Sequence, residues 1–234
     1  MIDRLIENIQ KEINLTMEET EQLFDKIFKG EIDTDSLVDL LDALDKKGET
    51  PEELAGATTS MRKNAKLIDV NHDQIVDCCG TGGLGKKIIN ISTSVSFVLA
   101  AAGLKVAKHG NRTATGKSGS ADFLEAAGIN LKKSSENFSN SLDKIGLGFL
   151  FAQNHHPGMK YVMDARKILG KKTIFNLLGP LSNPAGANIQ SIGVFHNKWI
   201  KPVAEALRNL NCKAAAIFHS DDGLDEISFT STTQ

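Results

Sequence analysis

The sequence has no long apolar run: its longest, residues 95–103 with Ser96 inside it, is too short to span a bilayer and suits a buried helix. It also lacks a surplus of either charge. With 27 Lys and Arg against 29 Asp and Glu, the formal net charge is -2 and the signs are interspersed. No general basic field results, so unspecific nucleic-acid binding has little electrostatic support and any bound anion must be held locally. Cysteine is scarce, with only Cys78, Cys79 and Cys212. The adjacent pair does not easily bridge to itself, which reads as a reducing cytoplasm. A metal site on these thiols would need two spaced pairs with histidine partners, which are absent, so buried structural thiols are expected. The start, MIDRLIENIQKEINL, is an amphipathic helix pattern broken by charges rather than an export signal. A soluble, cytoplasmic protein without a membrane partner is expected.

What is present divides into two textures. At 234 residues the chain can form one large domain or two small ones and can bury a sizeable core. Residues 1–65 read as a small helical domain. Thr16 with Glu19 forms a capping box whose helix stops at Gly30, and Thr50 with Pro51 and Glu53 repeats that logic. Between them Leu37, Leu40, Leu41 and Leu44 mark one helix face ending before Gly48. Residues 66–234 alternate short β-rich runs with longer amphipathic segments. Strands are expected at 75–78, 104–107, 148–151, 191–195 and 214–218, and helices at 92–102, 121–127, 136–145, 157–169 and 201–210. This alternation implies an α/β domain with a largely parallel sheet, which gathers ligands at the carboxyl ends of its strands. There is no internal repeat and no low-complexity segment.

Two segments carry donors beyond what connections need. CCGTGGLGKKIINIST places a glycine-rich turn between a strand and a helix opening near Ser92. Glycines allow close backbone approach, and a helix start adds free amides and a positive dipole end, the makings of a phosphate cradle. It lacks the lysine-serine ending of a nucleoside triphosphate loop and the GxGxxG spacing of a dinucleotide turn. A glycine-rich turn capped by Ser92 is the plainer reading. The second segment, AKHGNRTATGKSGSADFLEAAG, crowds Lys108, His109, Asn111, Arg112, Lys117, Ser118 and Ser120 behind a strand end, a set suited to a polyanion. A solvated loop is the alternative there. His155 and His156, adjacent in what reads as an extended segment, should point in opposite directions and serve as polar lining or surface.

GTGGxG, NIST, KHGNR and KSGSAD in this order resemble the anthranilate phosphoribosyltransferase family. GFLFAQNHHPGMKYVMDARKILGKKTIFNLLGPLSNPAG, GVF and DGLDEIS extend the likeness over nearly the whole chain. The resemblance implies a nucleoside phosphorylase/phosphoribosyltransferase type of α/β fold and a magnesium-dependent transfer of phosphoribose from phosphoribosyl pyrophosphate to the amine of anthranilate, in tryptophan biosynthesis. On its matching positions, Gly80, Thr81, Gly82, Gly83, Asn90, Ser92 and Thr93 would hold the phosphates, with Lys108 and Ser120 adding contacts. Asn111 and Arg166 would orient anthranilate, and His109 with the loop around Gly179 and Pro180 would line its route. Ser92, Asp225 and Glu226 would serve Mg2+, and the helical start resembles a dimer-forming region. An acidic turn after a strand is the ordinary alternative for Asp225 and Glu226.

The chemistry asks for such parts independently. Cleaving the ribose–pyrophosphate bond builds positive charge on the sugar and negative charge on the leaving group, so amides and metal should stabilise the latter. The amine attacks directly, so no covalent nucleophile is needed, and no proton acceptor is assigned. Two positions depart from the family pattern: Leu84 stands where aspartate is expected and Ile88 where threonine is expected. Family members continue well past SFTSTTQ, so the α/β domain is expected to be incomplete and a strand edge or apolar surface to lie open. Two rivals remain, a catalytically silent relative that binds nucleic acid in the cleft and an enzyme of the same fold with another nucleobase-like acceptor.

Overall fold

The computed structural model describes residues 2–82, 89–113 and 118–234. Its beginning is helical: α1 (Ile2–Gln10), α2 (Met17–Lys29), α3 (Thr34–Lys47) and α4 (Pro51–Lys63). Both expected capping boxes form, Thr16 with Glu19 and Thr50 with Glu53, and Gly30 ends α2 at φ 74°. Asp33 caps α3 through the Ser36 N–H. Leu37, Leu40, Leu41 and Leu44 are all buried, as their spacing requires.

The remainder builds the expected parallel sheet. In chain order it runs β1 (Val76–Asp77), α5 (Ile91–Ala101), β2 (Val106–Gly110), α6 (Ser120–Ala126), α7 (Phe138–Ile145), β3 (Leu147–Phe151), α8 (Ala152–His155), α9 (Met163–Leu169), α10 (Phe175–Leu181), β4 (Ile189–Gly193), α11 (Ile200–Asn209) and β5 (Ala214–Phe218). Among the described residues the order is β3-β2-β1-β4-β5, every pair parallel. The order reverses at β1, between β2 on one side and β4 on the other, and such a switch point is where open α/β sheets bind ligands.

One apolar cluster joins Leu23, Phe24, Leu40 and Leu54 of the helical start to Val162, Phe175 and Leu178 and to Val194 and Val203 around the sheet. The aromatic rings of Phe24, Phe28 and Phe175 meet within it at centroid distances of 5.8–6.2 Å. The helical start is therefore packed on the segments that follow β3, and its burial supports their placement.

Five expectations need correction. The strand expected at 104–107 is β2, which runs on to Gly110 because Lys108 and His109 pair with Phe149 and Leu150 of β3. The strand expected at 191–195 is β4, which begins two residues earlier, in register with Val76 and Asp77. The helix expected at 157–169 is a 3-10 turn over Pro157–Tyr161 followed by α9. The run 95–103 does form a helix, but not a buried one: Val95, Phe97 and Val98 of α5 are exposed, and the residues it buries are Thr93 and Ser96. His155 and His156 are not in an extended segment, and of the two expected places, lining or surface, they are not at the surface. They end α8 and are both buried. At the other edge of the sheet, β5 exposes Ala214, Ala215 and Ala216, and Ile227 and Phe229 beyond it are exposed as well. No described helix is long and apolar enough to cross a membrane.

Candidate functional site

The site forms where β1, β2, β4 and β5 end. Gly80, Thr81 and Gly82 follow β1, with Gly82 at φ 64°, a conformation suited to glycine. The Thr81 N–H donates to Gly193 O at 2.9 Å, and Thr81 Oγ1 accepts the Phe195 N–H at 2.9 Å, which ties this loop to the end of β4. Gly83, together with Leu84 and Ile88, lies outside the described residues, as does Lys117.

The acidic pair after β5 closes on the same loop. Asp225 Oδ2 accepts the Gly82 N–H at 3.0 Å, and the Glu226 carboxyl is near enough to the Ser92 backbone for that group to lower its pKa. Close approach here depends on Gly193, where a Cβ would lie 1.6 Å from Asp225 O. Burial pushes the Glu226 carboxyl up to about 7, with Asp225 adding to the rise and Lys108 opposing it. Asp225 is likewise raised, chiefly by burial. Two desolvated carboxylates side by side are electrostatically incomplete, and a hard divalent cation suits such a pair.

At the start of α5, Asn90 occupies the cap position rather than Ser92, and its amide donates to Ser118 Oγ at 3.2 Å. This bond links the NIST and KSGSAD segments. Ser92 is half-buried, Thr93 is buried on the inner face of α5, and Ser120 opens α6 with its hydroxyl on Asn111 O at 3.3 Å.

Lys108 and His109 are buried inside the sheet rather than exposed in a loop. Burial opposes the Lys108 charge, but its neighbours, Cys79 first and Asp77 next, outweigh it and its pKa is raised. His109 Nδ1 lies 3.0 Å from Gly179 O, so the ring donates at that nitrogen and leaves Nε2 as a buried acceptor without a partner. Burial, followed by the nearby His156, holds His109 neutral, and the two rings are 5.2 Å apart. His109 and the Gly179 loop are thus in direct contact.

Asn111 is exposed at the end of β2, its Oδ1 accepting the Arg112 N–H at 2.8 Å. Arg112, counted among the polyanion donors, is instead held by Asp122 and Glu125 of α6. Arg166 on α9 is half-buried, its guanidinium 5.9 Å from the Phe175 ring centroid, and among the described residues it has no carboxylate partner.

Sequence reasoning missed Asp77. It is 1% exposed, its Oδ1 accepts the His109 N–H and its Oδ2 the Asn183 amide, so it fixes β2 against the loop before β4. Burial lifts its carboxyl to about 6 against the lowering pull of Lys108. The available signal was an acid inside an otherwise apolar strand. Cys79, expected to be only structural, lies with Asp77 and His109 so that one ligand atom from each falls within 4.8 Å of the others. Its thiol is nonetheless pushed up to about 12, mainly by burial, and stays protonated. Cys78 is buried, whereas Cys79 and Cys212 are only partly so, and all three are free.

The family model described as "Glycosyl transferase family, helical bundle domain" matches residues 1–65, and "Glycosyl transferase family, a/b domain" matches residues 72–234. The anthranilate phosphoribosyltransferase of Desulfatibacillum aliphaticivorans is 45% identical over 234 residues, which is 100% of this chain and 69% of that protein. The crystal structure of the Thermus thermophilus anthranilate phosphoribosyltransferase superposes with a TM-score of 0.90 at 41% identity, covering 95% of this chain and 67% of that one. The Saccharomyces cerevisiae enzyme, solved in complex with PRPP and Mg, matches with a TM-score of 0.80 at 29% identity over 92% of this chain and 64% of that one. With the glycine loop, the start of α5, the end of β2 and the acidic pair converging at one end of the sheet, the chain belongs to the anthranilate phosphoribosyltransferase family.

Proposed function

We infer that the protein transfers the 5-phosphoribosyl group from phosphoribosyl pyrophosphate to the amine of anthranilate, giving N-(5-phosphoribosyl)anthranilate and pyrophosphate in tryptophan biosynthesis. The observation that carries this reading is the closure of Asp225 onto the Gly82 amide, with Glu226 beside it near the start of α5. Carboxylates next to backbone amides at a helix start support it, since a magnesium-bound diphosphate requires both. Asp225, Glu226 and Ser92 would hold Mg2+. When bound, the ion supplies positive charge to the departing pyrophosphate.

The chain's own groups divide the remaining tasks. Gly80, Thr81, Gly82, Asn90 and Ser92 surround the place for the phosphates, as does Gly83 by its place in the motif; the Gly82 N–H and the Asn90 amide would exchange their present acceptors, Asp225 and Ser118, for phosphate oxygens, and Thr93 supports the start of α5 from inside. The Lys108 ammonium faces the same region and offsets negative charge there. Ser120, at the first turn of α6, adds a hydroxyl beside the Asn111 carbonyl. Asn111 and the free guanidinium of Arg166 orient anthranilate, and a planar bidentate grip on its carboxylate suits arginine and not lysine. Neutral His109 and the Gly179 loop line its route. The free thiols support a cytoplasmic setting, and a homodimer through the helical start follows from the resemblance.

Loss of anthranilate fluorescence on adding phosphoribosyl pyrophosphate and magnesium tests this reading. The expected decay requires all three components and stops when magnesium is chelated. An unchanged signal at saturating substrates would refute it.

A further inference from the structure

Glu49, Thr173 and Trp199 line one small cavity, and each carries a buried side-chain atom that has no hydrogen-bond partner among the described residues, namely Glu49 Oε2, Thr173 Oγ1 and Trp199 Nε1. The residues that carry them are 7%, 4% and 5% exposed. The cavity measures about 40 Å³ and lies between the loop after α3, the Lys172 and Thr173 link before α10, and the Phe195 to Trp199 segment after β4. A single water needs only about 10–15 Å³ on this measure, so one small polyatomic ion or a few waters fit.

The donor inventory selects between these. Trp199 Nε1 can only donate, and the Thr173 hydroxyl can donate as readily as accept. Lys172 and Lys198 also line the cavity, their ammonium groups lying over the rings of Phe195 and Trp199 at 4.0 and 4.8 Å from the centroids. The acid nearest them on α3, Asp45, is already paired with Lys171 at 2.6 Å. We propose that this cavity binds a small tetrahedral oxyanion, of the size of inorganic phosphate, received by Trp199 Nε1–H, the Thr173 hydroxyl and the ammonium groups of Lys172 and Lys198.

Glu49 sets the pH range of the site. Burial pushes its carboxyl up to about 7, Asp45 on α3 and Glu53 on α4 push the same way, and Lys198 pulls it down. Glu53 is itself neutralised by Lys47 at 2.8 Å. Protonated, Glu49 donates into the cavity; ionised, it repels the anion, so binding weakens as pH rises through about 7. The site adjoins the glycine loop without belonging to it, since Phe195 of its wall donates its N–H to Thr81.

The chain has a single tryptophan, Trp199 itself, so its emission reads the cavity directly. Sulfate is the probe, because its charge is constant across this pH range, with chloride at equal ionic strength as the control. The expected result is a saturable emission change with sulfate alone, whose half-saturation rises about tenfold in Lys172→Met and in Thr173→Val. Lys172→Arg should keep the response, and Glu49→Gln should bind sulfate while losing the pH dependence. Circular dichroism identifies any variant that fails to fold, and the Arg and Gln variants then decide the matter. No response beyond chloride would show a cavity holding water alone and overturn the proposal. So would a response that phosphoribosyl pyrophosphate and magnesium abolish but Lys172→Met leaves intact, because that anion would sit in the substrate cleft.

Discussion

Arg166 stands half-buried beside Phe175 with no acid to satisfy it among the described residues, and burial lowers its pKa. A guanidinium kept in that state is ready for an incoming carboxylate. Arg166→Ala should therefore raise the KM for anthranilate by an amount equivalent to about 2–5 kcal/mol if the pair is desolvated, leaving the KM for phosphoribosyl pyrophosphate nearly unchanged. Steady-state kinetics with each substrate varied decides this, and an unchanged anthranilate KM would move the carboxylate site elsewhere. Gly193 allows a sharper structural test. An added Cβ would overlap the Asp225 backbone, so Gly193→Ala should cost about 1–3 kcal/mol or more in denaturant unfolding and weaken magnesium's effect on turnover. At this scale the motif residues were legible because glycines and clustered donors have few other uses. Asp77, the His109 tautomer and the engagement of Arg112 by α6 were not, since each depends on a partner far away in sequence or on the opposite side of a loop.

Helix boundaries were legible where side chains cap backbone locally, as Thr16 and Thr50 do. Replacing either by alanine should cost about 1 kcal/mol, and in a chain of this size about 2–4 °C of melting temperature. Glu53 does more than close its capping box. Its buried carboxylate accepts the Leu15 and Thr50 N–H groups, both at 2.9 Å, and the Lys47 ammonium at 2.8 Å. Lys47→Met should therefore cost about 3–5 kcal/mol, more than a lost surface ion pair, because it strands that charge. Equality with an exposed pair such as Lys11 and Glu7 would contradict the burial argument. The elements the sequence concealed are those that tertiary pairing decides. β2 runs through Lys108 and His109 because β3 offers it a ladder, and α10 contains Pro180, a residue that ordinarily ends a helix. The exposure of α5 also follows from what packs against it, since its apolar run gives no sign of which face meets the sheet.

Across the molecule, the parallel sheet with its switch point at β1 brings the described parts of the glycine loop, the start of α5, the end of β2 and the acidic pair to one end, and the helical start buttresses the segments that carry Arg166 and Gly179. Burial first, then His155, lowers His156 to about 4, so the fold favours its neutral form. Between the unfolded value and about 4 the unfolded chain takes up a proton that the folded one does not, so the His156 contribution is fully present above about pH 6.5 and is lost as pH falls. By pH 5 that loss should reach about 2 kcal/mol, and His156→Gln should lose correspondingly less stability between pH 7 and pH 5. Parallel acid titrations followed by circular dichroism measure the difference, and identical pH dependence would show that the ring is not kept neutral. The central claim concerns the reaction itself. Its most direct measurement follows anthranilate fluorescence and pyrophosphate release together in one magnesium-containing mixture: the account predicts equal rates and one pyrophosphate per anthranilate consumed, whereas pyrophosphate release without loss of anthranilate, or neither signal, would contradict it.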